Sequence, residues 1–147
     1  MKRLEGKIAV ITGGNSGIGL ASACLFAQEG AQVIITGRRK AVLEQAIETI
    51  GHGAIAIEGD VASLEHHESV AAEIRQRFGG LDIYMANAGV ITLQASAQVS
   101  PKDYDTQFDI NTRGVFFGVQ SITPVLRRAL SRSRALIEPL ATVLNTP

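Results

Sequence analysis

The residues best suited to chemistry stand in one string, Thr12-Gly13-Gly14-Asn15-Ser16-Gly17-Ile18-Gly19. Side chains here are small or missing, so the backbone itself is what the string offers a ligand. Gly13 permits a tight turn, Gly17 lets the backbone approach a pyrophosphate, and Gly19 lets a following helix sit close to the preceding strand. Free amides at the start of that helix supply an anion site. Asp60-Val61, at the C-terminal end of a predicted strand, stands where ligands bind in open α/β sheets, and Asn87-Ala88-Gly89 and Asn111 follow as further polar positions along the chain. Each also has a plain structural reading. Asp60 suits a helix N-cap, Asn87 a structural amide more than a catalytic one, and Asn111 an ordinary polar position in a helix. His66 and His67 are neighbours on a helix and so point in different directions, which argues against a metal site. Cys24, beside Leu25 on an apolar helix face, reads as packing.

A glycine string carries weight only between a strand and a helix, and the flanking pattern provides that setting. Lys7-Ile8-Ala9-Val10-Ile11-Thr12 is a nearly continuous apolar, β-branched run, as in a strand covered on both faces. Ile18, Ala21, Leu25 and Phe26 then recur at helical spacing up to Gly30. The unit repeats. Gln32-Val33-Ile34-Ile35-Thr36 predicts a second strand, and Val42, Leu43, Ala46, Ile47 and Ile50 a second helix ending at Gly51. Ala54-Ile55-Ala56-Ile57 predicts a third strand, residues 64 to 78 a third helix stopped by Gly79-Gly80, and residues 81 to 86 a fourth strand. Ser100-Pro101, with Asp103 in the first turn, starts a long helix that is interrupted near Gly114. Phe108, Val115, Phe116, Val119 and Ile122 form its apolar stripe, facing a core or a partner. Strands alternating with helices require parallel pairing. The expected fold is α/β, a Rossmann-like doubly wound parallel sheet truncated after about four strands and spanning residues 1 to 126.

In such a fold the end of the second strand meets the adenosine ribose of a dinucleotide. An acidic residue there suits a free 2′-hydroxyl, and a cation suits a 2′-phosphate. The sequence has Gly37 at that point, followed by Arg38, whose planar guanidinium can hold phosphate with two hydrogen bonds. NADP is therefore the expected cofactor, with NAD as the alternative.

Composition bounds the remaining classes. The 147 residues carry 14 basic and 14 acidic side chains, so no overall positive field draws nucleic acid or an anionic membrane. No run approaches the roughly 20 apolar residues of a membrane span. One cysteine makes no internal disulfide, and nothing at the N-terminus reads as a signal peptide, so a cytoplasmic protein is expected. Residues 127 to 147 break the pattern: Arg127, Arg128, Arg132 and Arg134 crowd among small polar residues, and Pro139 interrupts any central strand. They read as an atypical Arg-rich tail, and the fourth strand is expected to be left as an apolar edge.

The Thr-Gly-x-x-x-Gly-x-Gly spacing, followed in order by Asp60-Val61, Asn87-Ala88-Gly89 and Asn111, resembles the short-chain dehydrogenase/reductase family over about residues 5 to 126. The resemblance implies an oxidoreductase that passes hydride between NADP or NAD and a small alcohol or carbonyl. It implies that Thr12, Gly13, Asn15, Ser16, Gly17, Ile18, Gly19 and Arg38 contact the cofactor. Asp60 and Val61 would hold adenine, and Asn87, Ala88 and Gly89 would steady the sheet and leave the cofactor room. Asn111 would be the catalytic-site residue, its backbone holding a water in a proton relay. The helix after Pro101 would serve a homo-oligomer. The family also uses a Tyr-x-x-x-Lys pair and a preceding Ser. Here Tyr84 is followed four residues on by Ala88 and Tyr104 by Phe108, so the pair is missing. Hydride transfer needs such a proton partner, and little or no turnover is expected. The alternatives are a catalytically silent NADP(H)-binding module and a non-functional truncated product. The change of pattern after Leu126 has three candidate origins, a shifted reading frame, a cut fragment and a natural truncation, which the sequence alone does not separate.

Overall fold

The computed structural model describes residues 2–127. Four strands, β1 (Ile8–Thr12), β2 (Gln32–Gly37), β3 (Ile55–Glu58) and β4 (Ile83–Met85), form one parallel sheet in the order β3-β2-β1-β4. Helices α1 (Gly17–Gln28) and α2 (Lys40–Ile50) cover one face. Helices α3 (Leu64–Phe78) and α5 (Gly114–Ile122) cover the other. The alternation of a strand decides which side chain goes where. Ala9 and Ile11 of β1 meet Ala23, Ala27 and Leu43, whereas Val10 meets Val70, Ile74 and Ile122. With both faces covered, the strands read as unbroken apolar runs.

The chain lays down β1, β2 and β3 in one direction and then returns past β1 to place β4 on its other side. Strand order therefore reverses between β1 and β4, and a crevice opens beyond their C-terminal ends. Both Thr12 and Asn87 stand there.

The helix ends follow local chemistry. Ser63, not Asp60, caps α3, its hydroxyl accepting from the His66 amide at 3.3 Å. Asp60 instead folds back to accept from the Ala62 amide at 2.9 Å, which leaves its second oxygen to the crevice. Ser100 and Asp103 form a reciprocal capping box at the start of α4 (Pro101–Phe108). The expected interruption of the long helix is a π turn, Asp109–Arg113, ending where α5 begins at Gly114. A Cβ on Gly114 would lie 2.6 Å from the Val61 carbonyl oxygen, so glycine brings α5 against the loop after β3. The apolar stripe of this helix pair is not one face. Ile122 is buried and Val115 partly so, whereas Phe108, Phe116 and Val119 are exposed and Tyr104 stacks on Phe108 at 4.2 Å.

β4 is shorter than the run 81 to 86 predicts, for two reasons. At its start the Asp82 carboxylate accepts from the Ile8 amide at 2.9 Å and meets Lys7 and Arg127. At its end Asn87 and Ala88 turn their amides to the Thr12 hydroxyl. The outer side at Leu81 is bonded rather than bare. The Leu81 amide donates to the Val125 carbonyl at 2.8 Å, and the Arg127 amide donates to the Leu81 carbonyl at 2.7 Å. The Arg127 guanidinium also donates to Asp82 at 3.0 Å and to the Phe78 carbonyl at 2.6 Å. Arg127, assigned from sequence to the tail, is thus packed with the sheet, while the rest of that tail lies outside the described residues. Partial burial works to raise the Asp82 pKa, but the Ile8 amide and the Lys7 and Arg127 cations hold it below the usual carboxylate range.

Candidate functional site

The loops that leave the C-terminal ends of β1, β2, β3 and β4 enclose a cavity of about 330 Å³, within the usual size of a small-molecule site. Gly13, Asn15 and Ser16 line it from β1, Gly37 and Arg38 from β2, Asp60 and Val61 from β3, and Asn87, Ala88 and Gly89 from β4. Residues up to 76 positions apart in the chain are joined here by direct hydrogen bonds.

Thr12 ties the end of β1 to the segment that follows β4 at the crevice. It is buried, and its hydroxyl oxygen accepts from the Asn87 and Ala88 amides, each at 3.0 Å. The Asn87 side-chain amide donates to the carbonyls of Thr12 at 3.0 Å and Gly13 at 3.3 Å. Both donor hydrogens of Asn87 face the β1 turn, so this side chain braces the turn.

The glycine turn leads into α1 with its N-terminus open. Ser16 is the N-cap residue in extended backbone, and its hydroxyl caps no amide. The first amides of α1 therefore lack an intrahelical partner, as at any helix start. Gly17 has φ of 52°, and a Cβ built there would meet nothing within 4 Å. Open space lies over its backbone. Ile18 is 76% exposed, while Gly19 is buried against the Gly13 carbonyl and the Asn87 side chain.

On the far side, Arg38 Nη1 lies 3.9 Å from Asp60 Oδ2, both side chains substantially exposed. Such a pair is worth little by itself, so the guanidinium is available to a competing anion. Asn111 sits in the π turn, outside the cavity lining. Its Nδ2 donates to the Val90 carbonyl at 2.7 Å and its Oδ1 accepts from the Val90 amide at 2.8 Å. The side chain fixes the loop after β4. An extra residue in a helical turn also loosens the regular bonding of the backbone around it, a feature common at functional sites.

Sequence reasoning did not single out Gly59, Val90 or Ile110, which also line the cavity. Gly59 adjoins Asp60 and was findable by position alone, whereas Ile110 reaches the cavity only through the π turn. It also left His66 and His67 without a role. Both are buried, and His67 Nε2 lies 2.8 Å from the Val61 carbonyl oxygen. No group of three or more potential metal ligands occurs among the described residues. Burial, followed by repulsion from His67, pushes the His66 pKa below its ordinary 6.5, against a smaller upward pull from Asp60. The unfolded chain therefore binds a proton first on acidification. The His66 contribution is whole above pH 6.5 and is lost as pH falls through the lower folded value. Urea unfolding between pH 7.5 and 5 is expected to show stability falling in that window, with a shallower fall in His66→Gln; parallel curves for the two proteins would refute it.

Tyr84 projects from β4 toward Gly118, where a Cβ would meet its hydroxyl. Burial pushes its phenol up to about 12, which suits a packed side chain rather than a proton donor working near neutrality.

A parallel sheet with a strand-order reversal, a glycine turn at that reversal and polar groups converging from all four strand ends define a doubly wound α/β class of protein. A family model described as short chain dehydrogenase matches residues 7–137, and the chain belongs to that family. The match runs past residue 126, where the motif-bearing part was expected to end. An oxidoreductase of Sarocladium schorii is 37% identical over 129 residues, covering 88% of this chain and 52% of the relative. Versicolorin reductase 1 of Aspergillus parasiticus is 39% identical over 119 residues, covering 78% of this chain and 45% of its own. A crystal structure of a short-chain dehydrogenase/reductase, glucose/ribitol dehydrogenase, from Brucella melitensis superimposes with a TM-score of 0.83 at 32% identity, over 86% of this chain and 55% of that one. The chain spans about half the length of the curated relatives it matches. No helix among the described residues is long and apolar enough to cross a membrane.

Proposed function

We infer that this chain holds NADP(H) across the four strand ends and represents the cofactor-binding part of an oxidoreductase acting on a small alcohol or carbonyl. The observation that carries the reading is the convergence of the open α1 N-terminus, Arg38 and Asp60 on one cavity. Each part fits its portion of the group. The space over Gly17 and the free amides of α1 suit a pyrophosphate, Arg38 a 2′-phosphate, and Asp60 with the Val61 backbone an adenine ring. Asn87 and Asn111 bond the β4 loop to the β1 turn and the π turn, and so would hold that loop in place beside a bound dinucleotide. The bound cofactor supplies hydride donation or acceptance. Within the sequence given, neither Tyr84 nor Tyr104 is followed at four residues by Lys, so the expected property of this chain is binding with little or no turnover. That same fact favours the second reading, a silent NADP(H)-binding module. Phe108, Phe116 and Val119 on the exposed side of α4 and α5 suit association with a second copy.

Calorimetry with NADPH and NADH, alongside turnover of a carbonyl panel, tests both readings. NADPH is expected to bind the unaltered chain more tightly than NADH. Arg38→Leu should weaken NADPH by about tenfold or more, the equivalent of one charge-assisted hydrogen bond, and NADH by less than about threefold. Equal loss for both dinucleotides, or tighter NADH binding at the outset, would sink the NADP assignment. Robust turnover would sink the silent reading.

A further inference from the structure

The two buried histidines of α3 lie beneath the segment that follows β3, and nothing in the function proposed above uses them. His67 is 3% exposed, with Nε2 placed 2.8 Å from the Val61 carbonyl oxygen. A carbonyl only accepts, so Nε2 carries the proton and donates. The peptide unit that contains this carbonyl also contains the Ala62 amide, and that amide donates to Asp60 Oδ1 at 2.9 Å. One rigid plane is therefore gripped at both ends, by an imidazole on one side and a carboxylate on the other. The remaining Asp60 oxygen faces Arg38 Nη1 at 3.9 Å. His66 closes the space next to it: a Cβ on Gly59 would collide with the His66 ring, so the ring supports the segment at its other end.

We propose that His67 is a positioning residue for the adenosine end of the dinucleotide site, acting through the Val61–Ala62 peptide unit to orient the Asp60 carboxylate and, through it, Arg38. The inference rests on the dinucleotide reading above and deepens it. An apolar side chain at position 67 fills the same buried space but leaves the Val61 carbonyl without its donor. The peptide unit is then free to rotate, and the Ala62 amide no longer holds the Asp60 oxygen in one direction. Hydrogen bonds linked through a shared peptide reinforce one another, so the loss at one end is felt at the other.

Calorimetric titration of the chain with adenosine 2′,5′-bisphosphate, which carries the adenosine end alone, and with NADPH provides the test. His67→Leu is expected to weaken both ligands by a common factor of about ten, while keeping an unfolding midpoint within a few degrees of the unaltered chain. His67→Gln, which restores an N–H donor, should recover affinity to within about threefold. Unchanged affinity in His67→Leu overturns the proposal, as does equal loss of affinity and stability in both variants, which marks a merely structural role. If His67→Leu does not fold, the imidazole Nε2–H resonance of His67 in the unaltered chain decides. It must shift on saturation with adenosine 2′,5′-bisphosphate, and a resonance that stays put overturns the proposal. Failure of the unaltered chain to bind either compound removes the dinucleotide reading itself, and this inference falls with it.

Discussion

Thr12→Val is expected to destabilise the chain by about 2–4 kcal/mol, although valine matches threonine in shape and suits a buried strand better. The hydroxyl oxygen it removes is the acceptor for two main-chain amides, those of Asn87 and Ala88, each at 3.0 Å. A partly buried donor left without an acceptor costs about 1–3 kcal/mol, far more than the hydrogen bond contributes in net terms. The neighbouring strand supplies the control. Thr36 is fully buried and its hydroxyl has no partner among the described residues, so Thr36→Val removes an unsatisfied group and should be neutral or stabilising by about 1 kcal/mol. The same substitution thus has opposite signs on β1 and β2. Urea unfolding of the two variants, with Thr12→Ser as the variant that keeps the hydroxyl, checks this. A Thr12→Val protein within about 0.5 kcal/mol of the unaltered chain would show that the β4 turn does not depend on Thr12.

That contrast also marks what a sequence can and cannot reveal. The strand-turn-helix repeats were legible because each depends on a local period: unbroken apolar runs for covered strands, and apolar residues three and four apart for the helices beside them. The site was legible only in part: of the short strings singled out in the sequence, Gly13, Asn15 and Ser16 of the glycine turn line the cavity together with Asp60-Val61 and Asn87-Ala88-Gly89, whereas Gly17, Ile18 and Gly19 do not. The glycine string marks Thr12, but nothing local tells which of the Thr12 and Thr36 hydroxyls finds a partner. Both close a β-branched run, and only a strand arriving 75 residues later gives one of them two amides to bind. Asp82 was missed for the same reason, since its partners Ile8 and Arg127 lie 74 and 45 residues away. His66 and His67 were set aside because adjacent helical residues diverge, which is true of their directions and says nothing about burial. The packing of α3 under the loop after β3 places both in contact with residues 59 to 61. The apolar stripe of α4 and α5 failed as a single face because the π turn adds a residue between them and shifts the register.

The second large effect concerns Gly19, where adding one methyl group should impair folding and binding together. A Cβ at this position would run into the Gly13 carbonyl oxygen and come within 2.5 Å of Asn87 Nδ2. These two atoms are themselves hydrogen-bonded at 3.3 Å, and the Asn87 amide is also tied to the Thr12 carbonyl at 3.0 Å. No rotamer change relieves the clash, because one obstacle is backbone and the other is pinned to backbone. The start of α1 must move away from the end of β1, and the turn between them must open. Overpacking of this kind costs about 1–3 kcal/mol, and a displaced turn carries the amides of α1 away from the proposed anion site. Gly19→Ala is therefore expected to lower stability by that amount and NADPH affinity by about a hundredfold, the equivalent of about 2.7 kcal/mol. Gly17→Ala separates the two effects. Its φ of 52° strains an alanine by about 1–2 kcal/mol, but no protein atom lies in the way of the methyl. The group projects into the space assigned to the pyrophosphate, so affinity should fall at least as far as in Gly19→Ala with a smaller loss of stability. Calorimetry with NADPH and urea unfolding on both variants read the two quantities independently. If Gly19→Ala binds within threefold of the unaltered chain, the close approach of α1 to β1 is not what presents the anion site. If Gly17→Ala binds as tightly as the unaltered chain, the open space over that residue is not where the phosphates lie.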